Sequence, residues 1–224
     1  MKLITRTGLA IEFLIIFVAL PLGYRFAPMP IRPLPVLWLV AAYALWALLR
    51  DPAFDRTRLW NWTAVPPRFS TIFALFAVVA LVLWLAVRRF VPGLEWLLFR
   101  QNRAIWAMVM VAYPVLSVYP QEIRYRAFFF QRYASVFKGR HRQWSMILAS
   151  AAAFAFLHII FRNWLAIVLT FGGGVLFAAR YEQTKSLAAT TLEHSLYGCW
   201  LFTVGLGQYF YHGSIAIVGT ATHR

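Results

Sequence analysis

Ionisable side chains are costly in hydrocarbon, so those found inside apolar segments are functional candidates by default. Four places qualify in this chain: Gln121-Glu122 with Arg126, His158, Glu193-His194, and Glu12. Glu122 and Arg126 are four residues apart, so on a helix they share a face and can pair. Taken alone, that is an ordinary contact worth about 0.2–0.5 kcal/mol. His158 closes the run Phe154-Ala-Phe-Leu-His158, where a buried imidazole is as readily a hydrogen-bonded core group as a catalyst. Glu193 and His194 are consecutive within Leu187–Phe202, and consecutive helical residues point about 100° apart. One of the two can line a site while the other braces a neighbouring helix. Glu12 lies near the end of its apolar run and is expected to be structural, snorkelling or pairing locally.

A carboxylate, an arginine and two imidazoles on three apolar segments can converge inside a helix bundle. There they can polarise a water molecule for attack on a peptide carbonyl, either directly as general base and oxyanion donors or around a metal ion. At these residues the sequence resembles the CPBP family of intramembrane proteases, the CAAX-protease and bacteriocin-processing group also called Abi. That family is recognised by Glu-Glu-x-x-x-Arg, Phe-x-x-x-His and His-x-x-x-Asn (or a similar last residue) on successive helices. Here the motifs run in order as Gln121-Glu122-Ile-Arg-Tyr-Arg126, Phe154-Ala-Phe-Leu-His158 and His194-Ser-Leu-Tyr-Gly198. The resemblance covers roughly residues 104–210. It implies an intramembrane endopeptidase with Glu122 as base or base-assisting carboxylate and His158 as its partner on the water. His194 would be oxyanion stabiliser or second imidazole, Arg126 would orient Glu122, and Gln121 would position substrate or water.

Two positions depart from the family pattern. Gln121 stands where the first glutamate is expected, and an amide accepts no proton at neutral pH. Gly198 stands where an oxyanion donor is expected, and losing one such donor costs about 10²–10³-fold in rate. Two repairs are chemically open: Glu122 rotates into the base role with Gln121 as an amide donor, or Glu193 supplies the carboxylate. The block Leu192–Gly198, with Thr203 and Gly205–Gly207 beyond it, looks like a bacterial branch of the family in which a Gln-Glu pair is the ordinary form. The rival expectation is a catalytically inactive CPBP-like protein acting in bacteriocin immunity or as a membrane scaffold. A small transporter is disfavoured because no inverted halves are recognisable. The glutamate mechanism needs no cofactor. Zn²⁺ on Glu122, His158 and His194 is the metal alternative, although no His-Glu-x-x-His helix is present.

Positioning these groups requires membrane helices. Of 224 residues, 62% are hydrophobic and 13% charged, against a soluble norm of about 45–50% and about 25%. Apolar runs at 9–24, 34–49, 70–87, 104–119, 143–161, 164–180 and 186–206 predict an all-α, polytopic transmembrane bundle of about seven or eight helices. One membrane-embedded domain over 1–224 is expected, with 104–210 carrying the motifs. The segment 120–135 is predicted to form a separate helix opening at Pro120, because proline is favoured at a first helical position. Gly172-Gly173-Gly174 marks a close helix approach.

The first run, containing Glu12 and lacking a small-residue cleavage pattern, is expected to be a retained span. The balance of 22 Lys+Arg against 7 Asp+Glu gives a formal charge of +15, concentrated in the connectors. That placement suits topology setting and anionic headgroups rather than nucleic acid. It places the N-terminus in the cytoplasm of a bacterial inner-membrane protein. The expected partners are membrane lipids and a peptide or protein with a membrane-proximal cleavage site. Prenylated C-termini, leader peptides and C-terminal sorting signals all suit.

Overall fold

The computed structural model describes residues 5–27 and 32–210. Among the described residues there are seven long helices: α1 Arg6–Phe26, α2 Pro33–Leu49, α3 Trp62–Phe90, α4 Arg103–Arg132, α5 Arg142–Phe161, α6 Trp164–Thr184 and α7 Leu187–Val204. A short helix, Leu97–Gln101, precedes α4. Five of the seven (α1, α3, α4, α5 and α6) are long and apolar enough to cross a membrane by length and composition, and α2 is a shorter apolar helix. The all-helical membrane architecture expected from hydropathy is therefore present. Polar caps set several starts: Thr5, Asn102, Asn163 and Ser186 each accept a hydrogen bond from the backbone N–H three residues on, satisfying one of the donors that a helix N-terminus leaves free.

The expected break at Pro120 does not occur. Helix α4 runs for 30 residues, about 45 Å, through both Pro114 and Pro120. It does so by widening to π register at Pro114–Val118 and Ile123–Phe128. A proline inside a helix lacks an N–H and crowds the carbonyl of the preceding turn, and other helices take up the carbonyls left over. The Leu116 carbonyl, four residues before Pro120, accepts the indole N–H of Trp38 from α2 at 2.9 Å. The Met110 carbonyl, four before Pro114, receives the Cys199 thiol of α7 at 3.8 Å. In α1 a π segment spans Leu14–Ala19, and the Ile16 carbonyl, which Pro21 cannot serve in that register, accepts from the buried guanidinium of Arg124. In a bilayer this substitution of partners is obligatory, because water cannot fill the gap.

Around α4 lies a buried aromatic core that includes Phe17, Tyr125, Phe128, Phe129 and Phe154. Residues such as Leu39, Val78, Leu81, Val82 and Val111 are exposed, as a lipid-facing surface requires. Gly174 meets α5 at Ala151, where an added Cβ would lie 3.0 Å from the Ala151 Cα, so the glycine run does mark a close approach. Glu12 is not paired locally. Its carboxylate accepts two hydrogen bonds from Arg132, at 2.9 and 2.7 Å, and one each from Tyr43 and Tyr133. It thus ties α1 and α2 to the C-terminal end of α4, because a carboxylate withdrawn from water needs partners wherever the fold supplies them.

Candidate active site

Three elements bring the motif residues together. Glu122 and Arg126 stand one turn apart on α4, beside the second π segment, and both are fully buried. His158 lies where α5 tightens into a 3₁₀ turn over His158–Phe161. His194 sits in the middle of α7, and both imidazoles are buried at 8% and 5% exposure, respectively.

The Glu122 carboxylate is divided between two partners. Its Oε1 is 2.9 Å from His194 Nδ1, and its Oε2 lies 3.4 Å from Arg126 Nε. Arg126 in turn donates through Nη1 to the Ser150 hydroxyl at 2.8 Å, and Ser150 donates to the Tyr125 carbonyl at 2.7 Å. The guanidinium lies over the Phe154 ring, 5.1 Å from its centroid. Such a stack compensates part of the lost hydration of the cation.

His158 places Nδ1 2.8 Å from the Phe154 carbonyl. A carbonyl only accepts, so that nitrogen carries the proton and the opposite one, Nε2, presents a lone pair. The His194 ring stacks on Phe177 at 4.5 Å between centroids and meets the edge of Phe154 at 5.4 Å, while His158 contacts Phe154 at 4.8 Å. Both imidazoles therefore flank one aromatic ring. Both also border a cavity of about 300 Å³ between α3, α4, α5, α6 and α7, whose other walls include Leu83, Val168, Gly172, Leu176 and Phe202. An apolar chamber with a few convergent polar groups is the usual form of a substrate site.

The remaining motif positions lie elsewhere. Gln121 is turned along its own helix, donating to Ser117 Oγ at 2.8 Å, and it does not line the cavity. Glu193 is held by Arg180 in a two-pronged pair, Oε2 to Nε at 2.8 Å and Oε1 to Nη2 at 3.1 Å, so it braces α7 against α6. Arg180 is buried at 7% exposure. Sequence reasoning passed over it, and the only signal of its role was a carboxylate in an apolar helix needing a cation. As placed, Glu122, His158 and His194 do not form a metal-ligand set. Among the described residues no three His, Cys, Asp or Glu side chains come together to hold an ion, and the Glu122 oxygens are directed at His194 and Arg126.

Sequence reasoning passed over Ser150 and Tyr113. Tyr113 packs its ring edge on His194 at 6.4 Å and borders the same cavity. It stands just before Pro114, at the start of a π segment, and such segments are frequent at functional sites, but nothing in the sequence announces that segment.

Residues 101–200 match the model of a family described as type II CAAX prenyl endopeptidase Rce1-like. The matched segment holds both the Gln121–Arg126 and Phe154–His158 motifs and His194 with Gly198. No curated protein and no solved structure gives a significant match to the chain.

Proposed function

We propose that this chain is an intramembrane endopeptidase hydrolysing a peptide bond of a membrane-associated substrate, a reading supported by the match of residues 101–200 to the type II CAAX prenyl endopeptidase Rce1-like family. The observation that carries the proposal is the pair of buried imidazoles at one apolar cavity, one of them held by a carboxylate that is itself held by an arginine. Few ordinary helix packings would retain so many costly groups in contact.

In this mechanism His158 Nε2 takes a proton from water as the water oxygen bonds to the peptide carbonyl carbon. The carbonyl electron pair moves onto its oxygen. His194, donating through Nδ1 to Glu122 and protonated on Nε2, gives a hydrogen bond to that oxyanion, and the Glu122 carboxylate balances the imidazolium. Collapse re-forms the carbonyl and breaks the C–N bond, and the departing amine receives the proton from His158. Glu122 is thus a base-assisting carboxylate, Arg126 orients it, and Gln121 and Glu193 stand outside the proton path. Apolar walls suit a lipidated or hydrophobic peptide, and a prenylated C-terminal CAAX peptide is the first substrate to try. The charge bias of the connectors supports a cytoplasmic N-terminus, and a bacterial inner membrane is the location we propose.

Gln121 favours a second proposal, an inactive relative with a scaffolding role, since its amide replaces the family's first carboxylate. The two separate in cells lacking the gene and complemented with wild type, His158→Ala or Glu122→Ala, by mapping new peptide termini in the membrane fraction. Wild-type-dependent termini that vanish in both variants support hydrolysis. Identical termini in all strains support the scaffold.

A further inference from the structure

We infer that the Tyr113 hydroxyl is a catalytic oxyanion donor, occupying the space left open by the missing side chain at Gly198; this inference rests on the hydrolytic function proposed above. Hydrolysis in an apolar chamber needs donors aimed at the oxygen that becomes negative, and the cavity wall offers few. His158 is committed as base. The Thr170 hydroxyl donates to the Ala166 carbonyl of its own helix at 2.6 Å. The Tyr197 hydroxyl, on a residue that also lines the cavity, is buried without a hydrogen-bond partner among the described residues, but a side chain at position 198 would meet Tyr113 first. His194 supplies one donor, and Tyr113 is a further hydroxyl-bearing side chain on the wall. No hydrogen bond engages its hydroxyl among the described residues.

Its position is set by Gly198. A Cβ built on Gly198 would run into the tip of the Tyr113 ring, meeting Cε1, Cζ and the hydroxyl oxygen together. The phenol therefore fills the volume of an absent residue-198 side chain, one helical turn from His194 on the same face of α7. A polar group there, beside the imidazole that already faces the cavity, completes a two-donor hole from two helices. The ring is fixed by edge contacts with Phe202 at 5.3 Å and His194 at 6.4 Å, which provides the preorganisation such a donor requires.

The test compares wild type, Tyr113→Phe, Tyr113→Ala, Tyr113→Ala/Gly198→Asn and His158→Ala in liposomes, with a fluorogenic prenylated CAAX peptide as probe and thermal unfolding as folding control. Tyr113→Phe keeps the ring and its packing, so a structural role alone would leave kcat unchanged. The expected result is a kcat lower by about 10²-fold with KM within about twofold and an unaltered melting temperature. The double variant, which supplies an amide donor in the vacated volume, is expected to recover at least about tenfold over Tyr113→Ala, as restoring an oxyanion donor should. Full activity in Tyr113→Phe, with wild type active and His158→Ala inactive, overturns this inference and leaves the hydrolytic function standing. An inactive wild type overturns both.

Discussion

Glu122 is buried at 0% exposure between a histidine and an arginine, so deleting it affects both folding and chemistry. Glu122→Ala leaves Arg126 without its carboxylate in a low-dielectric interior. The expected cost is about 3–5 kcal/mol, read by unfolding in detergent, and cleavage should fall by at least about 10²-fold. The Arg180–Glu193 pair behaves differently. Arg180→Met alone should destabilise by about 3–5 kcal/mol, whereas Arg180→Met/Glu193→Leu should return close to wild-type stability. Activity of the folded double variant should persist, because Glu193 is committed to Arg180 and not to water; a dead but stable double variant would return Glu193 to the site. Spacing alone made the Glu122–Arg126 contact legible, and the 100° rule made it legible that Glu193 and His194 would part company. Which of the two would face inward was not legible, because that depended on the buried cation at Arg180, four residues before the end of α6.

At the scale of elements, apolar runs located the seven long helices, while the caps at Asn102 and Asn163 that fix two of their starts emerged only in the structure. The join between the fourth run and the Gln121–Arg126 segment was missed for a physical reason. Proline is favoured at a helix start, and nothing local reveals that a π segment will carry the chain past it. The donors that make this tolerable, Trp38 and Cys199, lie 78 and 89 residues in sequence from the carbonyls they serve. Trp38→Phe should therefore cost about 1–3 kcal/mol, the penalty of a carbonyl left unpaired on a lipid-facing surface, with little change in kcat of the folded protein. Gly174→Leu should cost a similar 1–3 kcal/mol by overpacking against Ala151. If both variants unfold like wild type, the bundle does not depend on these contacts.

Across the whole molecule, contacts between connectors sort into two ends. Gln131 bonds Asp51, and Ser186 bonds the Asn61 carbonyl; Arg162 bonds the Arg25 carbonyl, Asn163 bonds the Tyr209 carbonyl, and an added Cβ on Gly205 would strike the Leu94 carbonyl. Each pair joins connectors that seven alternating crossings would put on one side. His158 lies toward the second end, three residues from the end of α5, whereas Glu122 and Arg126 stand nearer the end of α4 that belongs to the first. Single cysteines at Asp55 and Lys185, introduced with Cys199 replaced, should react with an impermeant probe from the same face, and one at Arg162 from the opposite face. Labelling of all three from one face would contradict the alternation. The central claim, that buried imidazoles at this cavity activate water against a peptide bond, is tested most directly by cleavage of the prenylated CAAX peptide in ¹⁸O-water, with and without chelator, followed by mass analysis of the product. Expected are one ¹⁸O in the new carboxylate, an unchanged rate with chelator, and loss of the labelled product in His158→Ala. Labelled product formed at the wild-type rate by His158→Ala, or no product from the wild type, would contradict that claim.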